Sequence, residues 1–575
     1  MRKFSALYRN EVTKVIHKPI FIVLVALTAA SMLFTGLVLK LDISASYDNG
    51  YRDDEMYESE IKNFEENIKN SVEYYKKEVA SLQKTLADSY MNEDGTVDIE
   101  KYEEEAGQTN YYISQGLPYD IGWQLVRIEY LKILKEYFPE GTQKSMFNIG
   151  ALSVSQIGSS TRLHFLGDTA ERLASIRAYD RYEQILADVY KDAPQAYEYY
   201  EYYDFNPVSV GMSPETYSGE KEKLEGILRD ADFNVYIDAM ADKIKKDETL
   251  TEQEKKIKLE GNELLRKAYR PNMSEQAWSE LNEKLNLLSN CKIQLDSGKT
   301  GNGRNMTDEE IKQLETQISE LTLGIGNKAA GFGGNQTEEE MTRVGMIASA
   351  GVAIAGIAMI LMGGMLIAEE IQTGSIKTLI IAPVKRRKIV GAKFAMLVTF
   401  ALVESLIIFL TLMLVCAVFG FGFANHVFVF AGVAHLMNPV LYYLLYVLLM
   451  SVESFFAGCF AFMLSALLRN YGAAIALSMV GTFVLGDTVS LIRLMGEDSL
   501  IIKHLYEVLP PANFELQEKL FSTSLETGGI DFLALLTGNF GIKGNSLTVS
   551  AIYLAVFITL FVFTAFQSFN KRDIK

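Results

Sequence analysis

The residues best suited to specific chemistry lie in one stretch, Ala368 to Lys393. It opens with the acidic pair Glu369 and Glu370 and passes through Gly374, Ser375 and Lys377. It then reaches Pro383, followed by Lys385, Arg386, Arg387, Lys388 and Lys393. Gly374 can break a helix, and Pro383, which lacks an amide proton, can end a short second one. Acids, a break and a basic cluster suit two tasks. One is a short helical element that docks on a water-soluble protein. The other is the positive charge that orients a membrane protein.

Enzyme chemistry finds little support elsewhere. Gly298-Lys299-Thr300 resembles the end of a phosphate-binding loop, but the glycine needed five residues earlier is Ile293. His17, His164, His426, His435 and His504 show no metal-ligand spacing, and neither Gly-x-Ser-x-Gly nor Cys-x-x-Cys occurs. The expectation is a chain with no catalytic residues, no metal and no bound cofactor. Three acids stand inside apolar runs: Glu404, Glu453 and Asp487. An ionised acid at a bilayer centre costs ~2.5–3.5 kcal/mol even on the lenient insertion scale, so such groups face protein or water. They can line a substrate path or a subunit interface, or simply join helices. For Asp487 the plainer reading is that it reaches the surface or pairs with Arg493. The run Tyr197–Phe205 places Tyr199, Tyr200, Tyr202 and Tyr203 among Glu198, Glu201 and Asp204. Ring faces and carboxylates suit a cationic peptide, although tyrosines at helical spacing more often pack a core.

The elements that carry these residues are mostly apolar helices. A span needs ~20 apolar residues to cross ~30 Å of hydrocarbon. Six stretches qualify: Ile20–Leu39, Val344–Ala368, Phe394–Phe423, Val440–Leu468, Tyr471–Leu491 and Leu547–Phe569. The first is too long for the ~7–15-residue apolar region of a cleavable leader and is expected to be retained. Before it, Phe4, Leu7, Tyr8, Glu11, Val12, Val15 and Ile16 recur at helical spacing, as in an amphipathic helix on a membrane surface or a plain extension of the span.

Charge divides the chain. Residues 41–342 hold 34 Lys+Arg against 58 Asp+Glu, while the remainder holds 21 against 14. The middle is therefore acidic and the membrane part basic, and the overall net charge of −17 is no guide to a partner. No nucleic-acid partner is expected. Lys and Arg cluster in residues 1–18, in 369–393, at Arg469 and at the C-terminal tail, whereas Gly422–His435 has none. This pattern puts both termini in the cytoplasm and 41–342 outside. Cys291 lies in the outer domain and Cys416 and Cys459 in spans, so no disulfide framework is expected; a large external domain without one points to a bacterial cell membrane.

The outer domain reads as helical. Ile61, Phe64, Ile68, Val72, Tyr75, Val79, Leu82 and Leu86 step by three and four, as do Trp278–Leu288 and Ile311–Ile325. The first and last stripes are expected to pair as a coiled-coil-like stalk. Residues 105–215 read as a compact head, and Gly324–Asn335 as a joint. Residues 493–546 read as an external loop, either plain or with two short helices dipping into the outer leaflet.

The loop resembles that of ABC-2 type transporter permeases: an acidic pair, Gly374-Ser375-Ile376, Pro383, basic residues, then Gly391-Ala392-Lys393 opening the third span. Tyr8-Arg9-Asn10-Glu11-x-x-Lys14 is similar to that family's opening helix. The resemblance covers residues 1–42 and 343–575. It implies an all-α membrane protein with six transmembrane helices in a type V exporter-like bundle, plus the helical outer domain. The segments would be an interfacial helix (1–18), the first span (19–40), the outer domain (41–342), the second span (343–368), a coupling loop (369–393), spans three to five (394–492), an outer loop with re-entrant helices (493–546), and the last span with a tail (547–575). It also implies a second permease subunit, membrane lipid as surroundings, and a cytoplasmic ABC ATP-binding subunit that holds ATP and Mg and docks on Glu369, Glu370, Gly374, Ser375, Lys377 and Pro383. An amphipathic export substrate follows: an antimicrobial peptide, a lipid-like molecule or a drug. The alternative is a surface receptor or secretion scaffold similar to phage-infection proteins and type VII secretion accessory proteins.

Overall fold

The computed structural model describes residues 2–48, 54–106, 118–137, 165–202, 214–270, 273, 275–299, 304–375, 384–430, 432–482, 508–521 and 546–571. Two helices begin the chain, α1 (Arg2–Ile16) and α2 (Pro19–Asp48). Pro19 starts the second at a position where its missing amide proton costs nothing. On α1, Glu11 and Val15 are buried and Leu7 and Val12 pack against the same core, so the buried stripe follows the three-and-four spacing.

Residues 43–279 form one compact unit. Its helices are α3 (Asp54–Ser89), α4 (Ile99–Ala106), α5 (Trp123–Tyr137), α6 (Phe165–Val189), α7 (Pro194–Tyr202), α8 (Pro214–Asp230), α9 (Phe233–Lys246) and α10 (Glu252–Ala268). Phe64, Ile68, Tyr75, Val79, Leu82 and Leu86 of α3 are buried, and α3 packs on α5, α6 and α7. A second cluster is aromatic. Phe233 stacks on Tyr269 at 3.7 Å between ring centroids, and Phe165, Tyr236 and Trp278 close around them.

Residues 1–42 and 280–575 form the other unit. Glu280–Thr342, on the soluble side of the sequence boundary at 342, therefore belong with the apolar helices. The elements are α11 (Glu275–Ser297), α12 (Asp308–Gly326), α13 (Glu338–Gln372), α14 (Arg386–Phe419), β1 (His426–Phe430), β2 (Val433–Met437), α15 (Pro439–Leu468), α16 (Tyr471–Thr482), a 3-10 turn Pro510–Asn513, α17 (Leu516–Phe521) and α18 (Leu547–Lys571). The apolar stripe of α12, with Leu321 and Ile325 fully buried, faces the β1–β2 hairpin. The α3 and α12 stripes each find these partners within their own unit, so the burial of neither requires the stalk pairing.

The hairpin itself is a departure from the expected loop at Gly422–His435. It is antiparallel, pairing His426 with Met437 through Phe430 with Val433. Among the described residues, five helices are long and apolar enough to cross a membrane: Pro19–Leu41, Glu338–Gln372, Arg386–Phe419, Pro439–Leu468 and Leu547–Lys571. Of the expected fifth span, only Tyr471–Thr482 is a described helix. In the 493–546 loop, the described short helix α17 packs on α15, α18 and β1.

Packing between α13 and α15 is close because small residues face each other. A Cβ on Gly363 would lie 2.2 Å from the carbonyl oxygen of Gly458. Without a hydrophobic drive between helices in lipid, such close approach is what holds them. Ser465 Oγ accepts from the amide of Ala368 at 2.8 Å, and Ser454 Oγ donates to the carbonyl of Val352 at 3.1 Å.

Candidate coupling site

Three elements meet at one end of the apolar unit: α1, the last turn of α13 and the first turns of α14. Their apolar side chains share a core that includes Val15, Phe21, Ile367, Val390, Phe462 and Phe569. That core brings charged side chains from all three elements together. Lys393, only 1% exposed, donates to Glu11 Oε2 at 3.0 Å and pairs with Glu370 Oε2 at 2.8 Å. Lys14 closes the cluster, with its Nζ 2.6 Å from Glu370 Oε1 and 3.3 Å from Glu11 Oε1. Two acids face two ammonium groups, so the cluster carries no net charge. Low-dielectric surroundings make each pairing strong and each unpaired member costly.

Burial alone would lower the Lys14 ammonium, but the bonds and charge of Glu370 and Glu11 outweigh it and hold Lys14 above its ordinary value. A further pair, Lys18 with Glu369, ties the end of α1 to α13 again. Tyr8 and Thr399 join α1 to α14 by a hydroxyl pair at 2.7 Å. The cluster ties the N-terminal helix to the end of α13 and the start of α14.

Beyond the cluster the chain turns sharply. The amide of Thr373 returns to the carbonyl of Glu369 at 2.9 Å, and Gly374 takes φ +73°, a left-handed conformation that ends the helix cheaply only at glycine. Ser375 Oγ lies 3.0 Å from Thr373 Oγ1. Lys377 and Pro383 lie outside the described residues. Thr373, Ser375, Lys385, Arg387 and Lys388 are exposed, as are Arg9, Asn10 and Thr13 on the outer face of α1.

The structure thus divides the predicted loop residues. Glu370 is spent internally, as an anchor for Lys14 and Lys393, and has little surface to offer a partner; its side chain is 12% exposed. In the sequence Lys14, Lys393 and Glu11 stand only as parts of a pattern. Their pairing is a matter of distance in space, which spacing along the chain does not carry.

The intramembrane acids separate as well. Glu404 on α14 is buried, and neither carboxylate oxygen has a hydrogen-bond partner among the described residues. Glu453 lies on an exposed face of α15. Asp487 is outside the described residues. The tyrosine run is corrected by burial. Tyr199 is 2% exposed and donates to Glu103 at 3.2 Å, and Tyr200 is 7% exposed with its hydroxyl 3.1 Å from that of Tyr182. Both pack the core of the 43–279 unit and offer no face to a peptide. Tyr202 ends α7, and Tyr203 lies outside the described residues.

Residues 5–574 match the model of the ABC-2 family transporter proteins. The chain is also similar to "Uncharacterized protein YhcI" of Bacillus subtilis (strain 168), with 27% identity over 226 residues. That alignment covers 38% of this chain and 65% of the relative, which is less than two thirds of the relative's length.

Proposed function

The chain belongs to the ABC-2 family of transporter proteins and is a membrane transport component, and on that premise we propose that it is the permease subunit of an ATP-driven exporter. In this reading a separate cytoplasmic ATP-binding subunit docks at the end where α1, α13 and α14 meet. Two permease subunits form the pathway, and both chain termini lie on the cytoplasmic side. The carrying observation is the neutral four-residue cluster of Glu11, Lys14, Glu370 and Lys393. It makes one rigid body of the N-terminal helix and the ends of two apolar helices. A nucleotide-driven displacement pressed on the exposed edge, at Thr373, Ser375, Arg387 and Lys388, would then reach α13 and α14 together. The energy of ATP arrives mechanically, with no chemistry in this chain. The acidic soluble unit favours a cationic or amphipathic substrate, over the ~8–10 Å that salt leaves unscreened.

The test is affinity purification of the tagged chain from its native membrane in mild detergent, followed by mass spectrometry. A near-stoichiometric P-loop ATPase is expected. The double variant Arg387→Glu/Lys388→Glu should insert normally and lose that partner. A preparation that keeps other complexes intact yet contains no ATPase would overturn the reading.

A further inference from the structure

A cavity of about 850 Å³ opens at the hairpin end of the apolar unit, within the ~300–1,000 Å³ typical of small-molecule sites. Among the described residues its walls come from α11, the first turns of α13, β1, α15 and α17. Three features of the wall define what would fit.

The first is aromatic surface. Tyr442, Tyr443 and Tyr446 of α15 line the cavity together with Phe332 and Phe521. Tyr442 stacks on the ring of His426 at 3.6 Å and meets that of Phe521 at a tilt, 4.5 Å away. Such faces hold flat apolar bodies and attract cations through the ring quadrupole.

The second is charge. Glu283, Glu338 and Glu518 line the cavity against one cation, Lys284. Lys284 is already paired with Glu338 at 2.8 Å. His426 adds no positive charge, because burial pushes its imidazole down to about 3. The wall is therefore net acidic, and Glu283 and Glu518 are both exposed.

The third is unmet hydrogen bonding. Gln517 and His426 are each 3% exposed, and both line the cavity. Gln517 Oε1 and His426 Nε2 have no hydrogen-bond partner among the described residues. A buried amide oxygen can only accept, and leaving it unmet costs about 1–3 kcal/mol. A ligand that brings N–H groups removes that cost, which an aliphatic or aromatic hydrocarbon cannot do.

We propose that this cavity binds amphipathic organic amines, with the apolar body against Tyr442, Tyr446 and Phe521 and the protonated nitrogen toward Glu283, Glu518 and Gln517. An anion is disfavoured by the acidic wall, and a cation without N–H groups leaves Gln517 unmet. The proposal rests on the cavity and not on the ATP-driven reading, since binding needs no ATPase.

The test uses the purified full chain in phosphatidylcholine nanodiscs and follows fluorescence anisotropy of rhodamine 6G, an amphipathic cation with N–H donors. Empty nanodiscs correct for partition into lipid. Saturable binding is expected, with a Kd raised roughly tenfold or more by Glu283→Gln/Glu518→Gln, the effect of removing two nearby charges from a cation site. Both positions are exposed, so the variant is expected to keep the wild-type Tm. Gln517→Leu should weaken rhodamine 6G and leave competition by tetraphenylphosphonium, which has no N–H, unchanged. Three results would each overturn the proposal: binding no greater than to empty nanodiscs, an unchanged Kd in the double variant, or equal affinity for the anion fluorescein. A site filled by water alone gives the first of these.

Discussion

Lys393 Nζ lies 3.0 Å from Glu11 Oε2, and both side chains are almost sealed from solvent. Removing one partner of a buried pair leaves a lone charge in low dielectric, at a cost of about 3–5 kcal/mol. Lys393→Met is therefore expected to lower the thermal stability of the purified chain steeply. Lys14→Met should cost much less, because Lys14 keeps 40% of its side chain in solvent. Adding Glu370→Gln to Lys393→Met should recover part of the loss. Equal losses for the two lysine variants would contradict the arrangement.

Gly363 and Gly356 lie on the same helix and predict opposite outcomes. A Cβ at Gly363 meets the carbonyl oxygen of Gly458 at 2.2 Å, whereas at Gly356 it meets Ser454 Oγ at an ordinary 3.5 Å. Gly363→Ala should force α13 and α15 apart and cost about 1–3 kcal/mol. Gly356→Ala should be neutral or stabilise by up to ~1 kcal/mol through helix propensity. Thermal unfolding of the two variants side by side decides it.

Glu404 gives a third prediction. Its buried carboxyl meets no hydrogen-bond partner among the described residues. Glu404→Leu roughly keeps the volume and removes the desolvated group, so the midpoint of unfolding should rise, reflecting a stabilisation of about 1–3 kcal/mol. A fall would reveal a partner for Glu404 elsewhere in the assembly.

The unit formed by residues 43–279 should respond to pH through Glu171. Burial, with the charge of Asp168 second, pushes its carboxyl up to about 7. Between the unfolded value, ~4.3, and the folded one, the native state holds a proton that the unfolded state does not. Stability from this group is therefore full at the acid end and lost as pH rises through about 7. Hydrogen-exchange protection factors across Phe165–Val189, corrected for the intrinsic pH dependence of exchange, should be higher near the acid end of that window than above it. Glu171→Gln should flatten the difference.

Much of the scaffold was legible because burial and sequence share a period. The α3 stripe and the long apolar helices announce themselves by spacing and length, and α1 by its inward Leu7, Glu11 and Val15. The β1–β2 hairpin was not, because His426–Phe430 is nearly all apolar, as a helix or an uncharged loop can also be. Tyr199 shows a different limit. Composition marks it as a sticky side chain, but only the fold decides whether Tyr102 or a ligand meets its ring, and here Tyr102 does at 5.5 Å. The loop after α13 stands out in the sequence by its acids and its glycine. That Glu370 turns inward depended on Lys14 and Lys393, partners 356 and 23 positions away, which no local pattern could join to it.

The sealed cluster also sets an order on the birth of the protein. Glu11 and Lys393 are 382 positions apart. The N-terminal helix is thus made long before the ammonium that neutralises its buried acid, and the whole soluble unit is translated in between. Until α14 emerges, Glu11 has only Lys14 on its own helix. The helix α1 is therefore made early and locked late, and a nascent chain stalled short of Lys393 carries an unfinished joint.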